Sequence, residues 1–129
     1  MSDPGAYLDK ARQSLNEAQA VAVIGFYAAA GRAPSLAAFH AAQAIIMLRT
    51  SKVAKTHAGV RSEFARIARD EPGLERGLAS FLARAYNLKT AADYAVGMDV
   101  AVSASEATDA IDGAARFVGA IERVLSEKR

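Results

Sequence analysis

The stretch "APSLAAFHAAQAIIML", Ala33 to Leu48, runs for sixteen residues without a charged side chain. From Leu36 onward it is apolar on nearly every side, so a helix made from it has no face to give to water. Such a helix belongs at the centre of a bundle, with other helices around it. It is too short and too polar for a membrane span, which needs about 20 strongly apolar residues, because it contains Pro34, His40 and Gln43. Pro34 removes one backbone donor, so either a kink there or a helix that starts at Pro34 is expected.

The flanking segments supply the rest of a bundle. Asp3-Pro4 reads as an N-cap followed by proline in the first turn. Beyond it, Leu8, Ala11, Leu15, Ala18 and Ala22 recur by three and four residues on one helical face, and Gly25 ends or bends that helix. "SKVAKTHAGV" reads as a loop of small and basic residues. A third helix follows from about Gly59, with Val60, Phe64 and Ile67 on one side, and "RDEPG" stops it. A fourth carries Leu74, Leu78, Phe81, Ala85 and Leu88. Ser103 and Glu106 have capping-box spacing and open a last helix with Ile111, Ala114, Val118, Ile121 and Leu125 on one face. Gly113 and Gly119 cost stability in that helix and are expected where helices approach closely, within the chain or across a dimer. The prediction is an all-α, antiparallel helical bundle of about five helices, in a single domain over residues 1–129.

Several chemistries are excluded. With no cysteine there is no disulfide, thiolate or cysteine-based zinc site, which suits a reducing cytoplasm. The two histidines, His40 and His57, lack a glutamate three residues before them, so the Glu-x-x-His pattern of di-iron bundles is absent. No HExxH, GxGxxG or Walker-type glycine loop occurs either. No metal and no cofactor are expected. "MSDPGAYLDK" has no basic region before an apolar run, so a soluble, cytoplasmic chain without a membrane segment is expected.

Charge is uneven along the chain. Residues 49–89 hold nine basic side chains against four acidic ones, while residues 90–129 hold four against seven. A basic middle can meet phosphate or face water as solvated helix surface. Within it, Lys55, His57 and Arg84 are the candidate ligand-binding residues. His57 is either an N-cap or a pH-sensitive phosphate contact. His40, inside the apolar helix, reads as a hydrogen-bonded core histidine. Arg84 and Lys89 lie roughly 140° apart around a helix and do not make one clamp while the helix continues. Asp93 caps a helix or turn, or holds Lys89 or Arg84 in place. Tyr94 has a packing role open to it, with its ring buried and its hydroxyl bonded to backbone.

From about Lys10 to Leu125 the chain resembles the HEPN domain family, small helical domains named for nucleotide binding in higher eukaryotes and prokaryotes. Three stretches carry the resemblance. "KARQSLNEAQAVAVIGFYAAAGRAPSLAAFHAAQAI" looks like the family's first two helices. "KTHAGV" is similar to its Lys-Thr-His-Ser-Gly-Val turn, and "LKTAADYAV" to its Leu-Arg-x-x-Ala-Asp-Tyr. "SASEATDAIDGAARFVGAIERVL" has the length and polarity of the closing helix.

The resemblance implies a homodimer and, for members that cut RNA, a metal-independent RNase built on an arginine, four to six spacer residues and a histidine. In this chain Lys89 stands where the arginine would be and Tyr94 stands four spacer residues later. Lysine meets phosphate as a point charge without the arginine fork, and tyrosine, with a pKa of about 10, is a poor base at neutral pH. Lys89, Asp93 and Tyr94 are therefore the catalytic candidates of a site expected to have weak or no RNase activity. The resemblance also implies a toxin–antitoxin or defence component that binds RNA or nucleotide with a nucleotidyltransferase antitoxin as partner, and makes Tyr94 a candidate AMP acceptor. The alternatives are a catalytically silent, dimeric scaffold for nucleotide or protein, and an unrelated helical bundle.

Overall fold

A computed structural model describes residues 3–93 and 102–127. Five helices follow in order: α1 (Pro4–Val23), α2 (Tyr27–Thr50), α3 (His57–Arg69), α4 (Arg76–Asp93) and α5 (Ala104–Glu127). No strand occurs among the described residues. The bundle is all-α, with α2 touching each of the other four helices.

Local chemistry sets most of the boundaries. Asp3 caps α1 by accepting from the Ala6 N–H at 2.8 Å, with Pro4 in the first turn. Gly25 ends α1 rather than bending it. At φ +86° it takes the left-handed position after Ile24, its N–H bonds the Ala22 carbonyl, and the Phe26 N–H bonds Val21. That is a Schellman stop, and it turns the chain back into α2. The capping box at α5 forms reciprocally: the Ser103 N–H donates to Glu106 Oε1 and the Glu106 N–H to Ser103 Oγ, both at 3.0 Å.

Three boundaries differ from expectation, and one of them leaves Leu74, read as part of the fourth helix, buried in the link before α4, which starts at Arg76. α2 starts at Tyr27 and continues through Pro34, so the later start at Pro34 is overturned. Packing holds the turn ahead of the proline, since Ala30, Gly31 and Pro34 are all buried. A side chain at Gly31 would sit 3.1 Å from Val102, so that glycine is what lets Val102 lie on α2. α3 begins at His57, earlier than Gly59, because Thr56 supplies the cap.

Alanine lets the central helix be surrounded. Ala37, Ala38, Ala41, Ala42 and Ala44 of α2 are wholly buried, as are Ala11 and Ala18 of α1 facing it. Larger volume comes from the other helices. Phe64 of α3 and Phe117 of α5 lie 4.9 Å apart between ring centroids, and Phe81 of α4 lies 6.2 Å from Phe117. Phe81 fills the space over Gly113, where a β-carbon would come within 2.2 Å of the ring. Among the described residues Gly119 has no such role: its nearest neighbour is the Arg123 guanidinium, at 3.6 Å. A smaller cluster of Ala18, Ala30, Ala92, Val102, Ala107 and Ile111 pins the end of α4 against α1, α2 and the start of α5. Glu71, buried in the link between α3 and α4, is paired with Arg49 near the end of α2.

Candidate functional site

The beginning of α3 is built by "KTHAGV". Thr56 turns its hydroxyl onto the Gly59 N–H at 3.0 Å, and a β-carbon at position 59 would crowd that hydroxyl at 2.8 Å. The cap therefore needs threonine and glycine three residues apart. His57 becomes the first residue of the helix, so it is not the cap. Arg61 follows one turn later on the same face. On α4, Tyr86, Lys89 and Asp93 recur by three and four residues and share another face.

These two faces meet against Phe39 of α2. The His57 ring lies between Phe39, 4.4 Å away, and Tyr86, 4.6 Å away, centroid to centroid. The Arg61 guanidinium lies over the Tyr86 ring at 4.7 Å. The result is a continuous stack, Phe39, His57, Tyr86, Arg61, drawn from three helices. One Arg61 nitrogen, Nη1, is buried and has no hydrogen-bond partner among the described residues.

Burial lowers the His57 pKa from its ordinary 6.5, and the charges of Lys89, Arg61 and His40 push it the same way. A position at a helix N-terminus opposes a cation as well. His57 is thus uncharged at neutral pH, close to two permanent cations. Lys89 donates to Asp93 Oδ2 at 2.6 Å, one turn along α4, and Arg32 of α2 approaches Asp93 Oδ1 at 3.8 Å. Asp93 therefore does hold Lys89, and it links α4 to α2 as well.

His40 is oriented from behind. Its Nδ1 lies 2.9 Å from Gln43 Oε1, while Gln43 Nε2 donates to the Ala54 carbonyl at 2.9 Å. Because that carbonyl only accepts, the Gln43 amide is fixed with its oxygen toward His40. His40 therefore donates from Nδ1 to that oxygen. The same glutamine ties the loop before α3 to α2.

The remaining candidates are spread out. Lys55 is exposed in the loop just before Thr56. Arg84 lies away from Lys89, over the Phe81 ring at 5.9 Å, in a cleft of ≈ 350 Å³ between α4 and α5 that Arg116, Glu106 and Asp109 also line. Tyr94 lies outside the described residues. Arg61, Tyr86, Phe39 and Arg32 are site neighbours that reading along the chain did not single out. Only the one-turn spacing of His57 and Arg61 could have pointed to any of them.

Chemically, this constellation suits an anion. It offers Arg61, Lys89 and a histidine able to accept a proton, against one carboxylate among the described residues, Asp93. Among the described residues no three histidine, aspartate or glutamate side chains gather as a metal site, and no helix is long and apolar enough to cross a membrane. A family model for the HEPN domain matches residues 5–124. No curated protein matches the chain.

Proposed function

The chain belongs to the HEPN domain family, whose members are nucleotide-binding and RNase-type domains, and from that premise we propose that it binds RNA or nucleotide phosphate at the junction of α2, α3 and α4. The observation that carries this reading is the convergence of His57 and Arg61 on the Tyr86 ring, with Lys89 close enough for its charge to act on His57. Lys89 contacts phosphate, Asp93 positions Lys89, and Tyr94 completes the motif. Lys55 extends the basic surface at the loop, and Arg84 serves a separate stretch of ligand at the α4–α5 cleft.

The chain acts as one HEPN unit, dimeric with its own copy, in the cytoplasm. It serves a toxin–antitoxin or defence pair together with a nucleotidyltransferase partner, a role supported by the family resemblance at "LKTAADY". Its RNase activity is weak or absent, because the lysine at position 89 lacks the arginine fork and position 94 lacks a base suited to neutral pH. A second reading, a catalytically silent scaffold, draws on the Lys89–Asp93 contact, which engages the amine within the chain.

The test is incubation of a mixed RNA pool without metal, beside Lys89→Ala and Tyr94→Phe, together with binding measured at rising salt. RNA is expected to stay intact and to bind with an affinity that falls steeply with salt, by a log–log slope of about 0.7 per phosphate contact. Lys89→Ala should flatten that slope by about one contact. Binding absent at low salt defeats the reading. Cleavage lost in Lys89→Ala would instead mean an active RNase.

A further inference from the structure

We propose that the cationic junction of α3 and α4, which carries His57, Arg61 and Lys89, takes a tetrahedral phosphate dianion together with one proton, which settles on His57. This rests on the phosphate-binding reading above and adds to it the identity of the site and the coupling of ligand to proton.

Three observations carry it. The Arg61 Nη1 group is buried and unpartnered among the described residues, and such a donor costs free energy until an acceptor reaches it. His57 packs against both the Phe39 and Tyr86 rings, which fixes where a proton on it would sit. The surroundings of that ring are one-sided. From α2 it faces His40; from α3, Arg61; from α4, Tyr86 and Lys89; and Lys55 stands in the loop just before. Among the described residues the carboxylate at hand, Asp93, is committed to Lys89 and Arg32.

Without an anion, a proton on His57 adds a charge to a site already cationic. An anion held by Arg61 and Lys89 reverses that balance, because an opposite charge close to an imidazole favours its protonated form. The linkage is reciprocal: if the anion favours the proton, the proton must favour the anion. Affinity therefore rises as pH falls. The protonated ring then offers its own N–H as a third charge-assisted donor.

Sulfate is the first probe, because it stays doubly ionised throughout the working range, whereas a phosphate monoester titrates at about pH 6. Adenosine 5′-monophosphate is the second, and it distinguishes a nucleotide site from one for a bare anion. Calorimetry at pH 7.5 and 6.0 should give tighter sulfate binding at the lower pH, by up to about tenfold per unit for one linked proton. The His57 Hε1 resonance should titrate at higher pH when sulfate is present. In His57→Gln the pH dependence should vanish. Arg61→Gln serves as an independent variant: sulfate affinity should drop about tenfold or more, with His57 titrating at higher pH in the free protein.

Equal affinity at both pH values overturns the proton linkage. Its persistence in His57→Gln assigns the proton elsewhere, His40 included, and also overturns it. Wild-type sulfate affinity in Arg61→Gln removes the site. If RNA binds but neither sulfate nor the nucleotide does at either pH, this inference fails alone; if RNA also fails to bind, the underlying reading falls with it.

Discussion

His57 shows how much one residue depends on neighbours far off in sequence. Its ring is enclosed by Phe39 and Tyr86 and its proton is opposed by Lys89 and Arg61. The consequence for stability has a definite sign. Because the folded pKa is lowered below 6.5, the unfolded chain binds the proton more readily. The stabilising contribution is complete above pH 6.5 and is lost as pH falls through the lower folded value. Urea midpoints measured from pH 7.5 down to 5 should therefore decline in the free wild-type protein, and decline less in His57→Gln. An equal slope in both would show that His57 is not the group responsible. Of this arrangement, "KTHAGV" alone revealed the small and basic character of the segment and nothing of the stack, since Phe39 and Tyr86 come from other helices. The cap assignment missed by one residue: Thr56 and His57 can both stand at a helix start, and only the hydrogen bond to Gly59 separates them.

At the level of helices, α4 meets α5 through a contact between a ring and a glycine. Phe81 occupies the place where a Gly113 side chain would be. Gly113→Ala should therefore destabilise the fold by about 1–3 kcal/mol through overpacking. Gly119→Ala, with only a flexible arginine nearby, should be neutral or stabilising by up to about 1 kcal/mol. Thermal melts of the two variants side by side provide the check, and equal destabilisation would contradict the packing account. The sequence marked both glycines alike, because a helix interior penalises either one and only the partner helix distinguishes them. By contrast, the starts of α1 and α5 were legible, since a cap is written in residues three apart. The start of α2 was not. Locally Pro34 argues for a boundary, but the burial of Ala30, Gly31 and Pro34 together outweighs the backbone bond the proline forgoes.

For the whole molecule, the proposed homodimer makes a prediction that does not depend on the ligand. A folded dimer that unfolds to separate chains has a melting temperature that rises with protein concentration. Melts over a hundredfold range of concentration should show that rise, and sedimentation should give twice the chain mass; a constant melting temperature at the monomer mass would remove the dimer from the account. The bundle as a class was legible throughout, because helical periodicity and the uncharged central stretch need no distant partner to be read. The alanine packing around α2 has an evolutionary consequence. A buried alanine can lose almost no volume, so nearly every substitution along that inner face enlarges it, and the damage comes from crowding rather than from voids. On α5, where Phe117, Ile121 and Val124 supply the bulk, the vulnerability is reversed, and truncation is the harmful direction. Lineages descending from this chain can therefore change residue size in neither direction along the inner face of α2, where alanine has almost no volume to lose and no room to gain it.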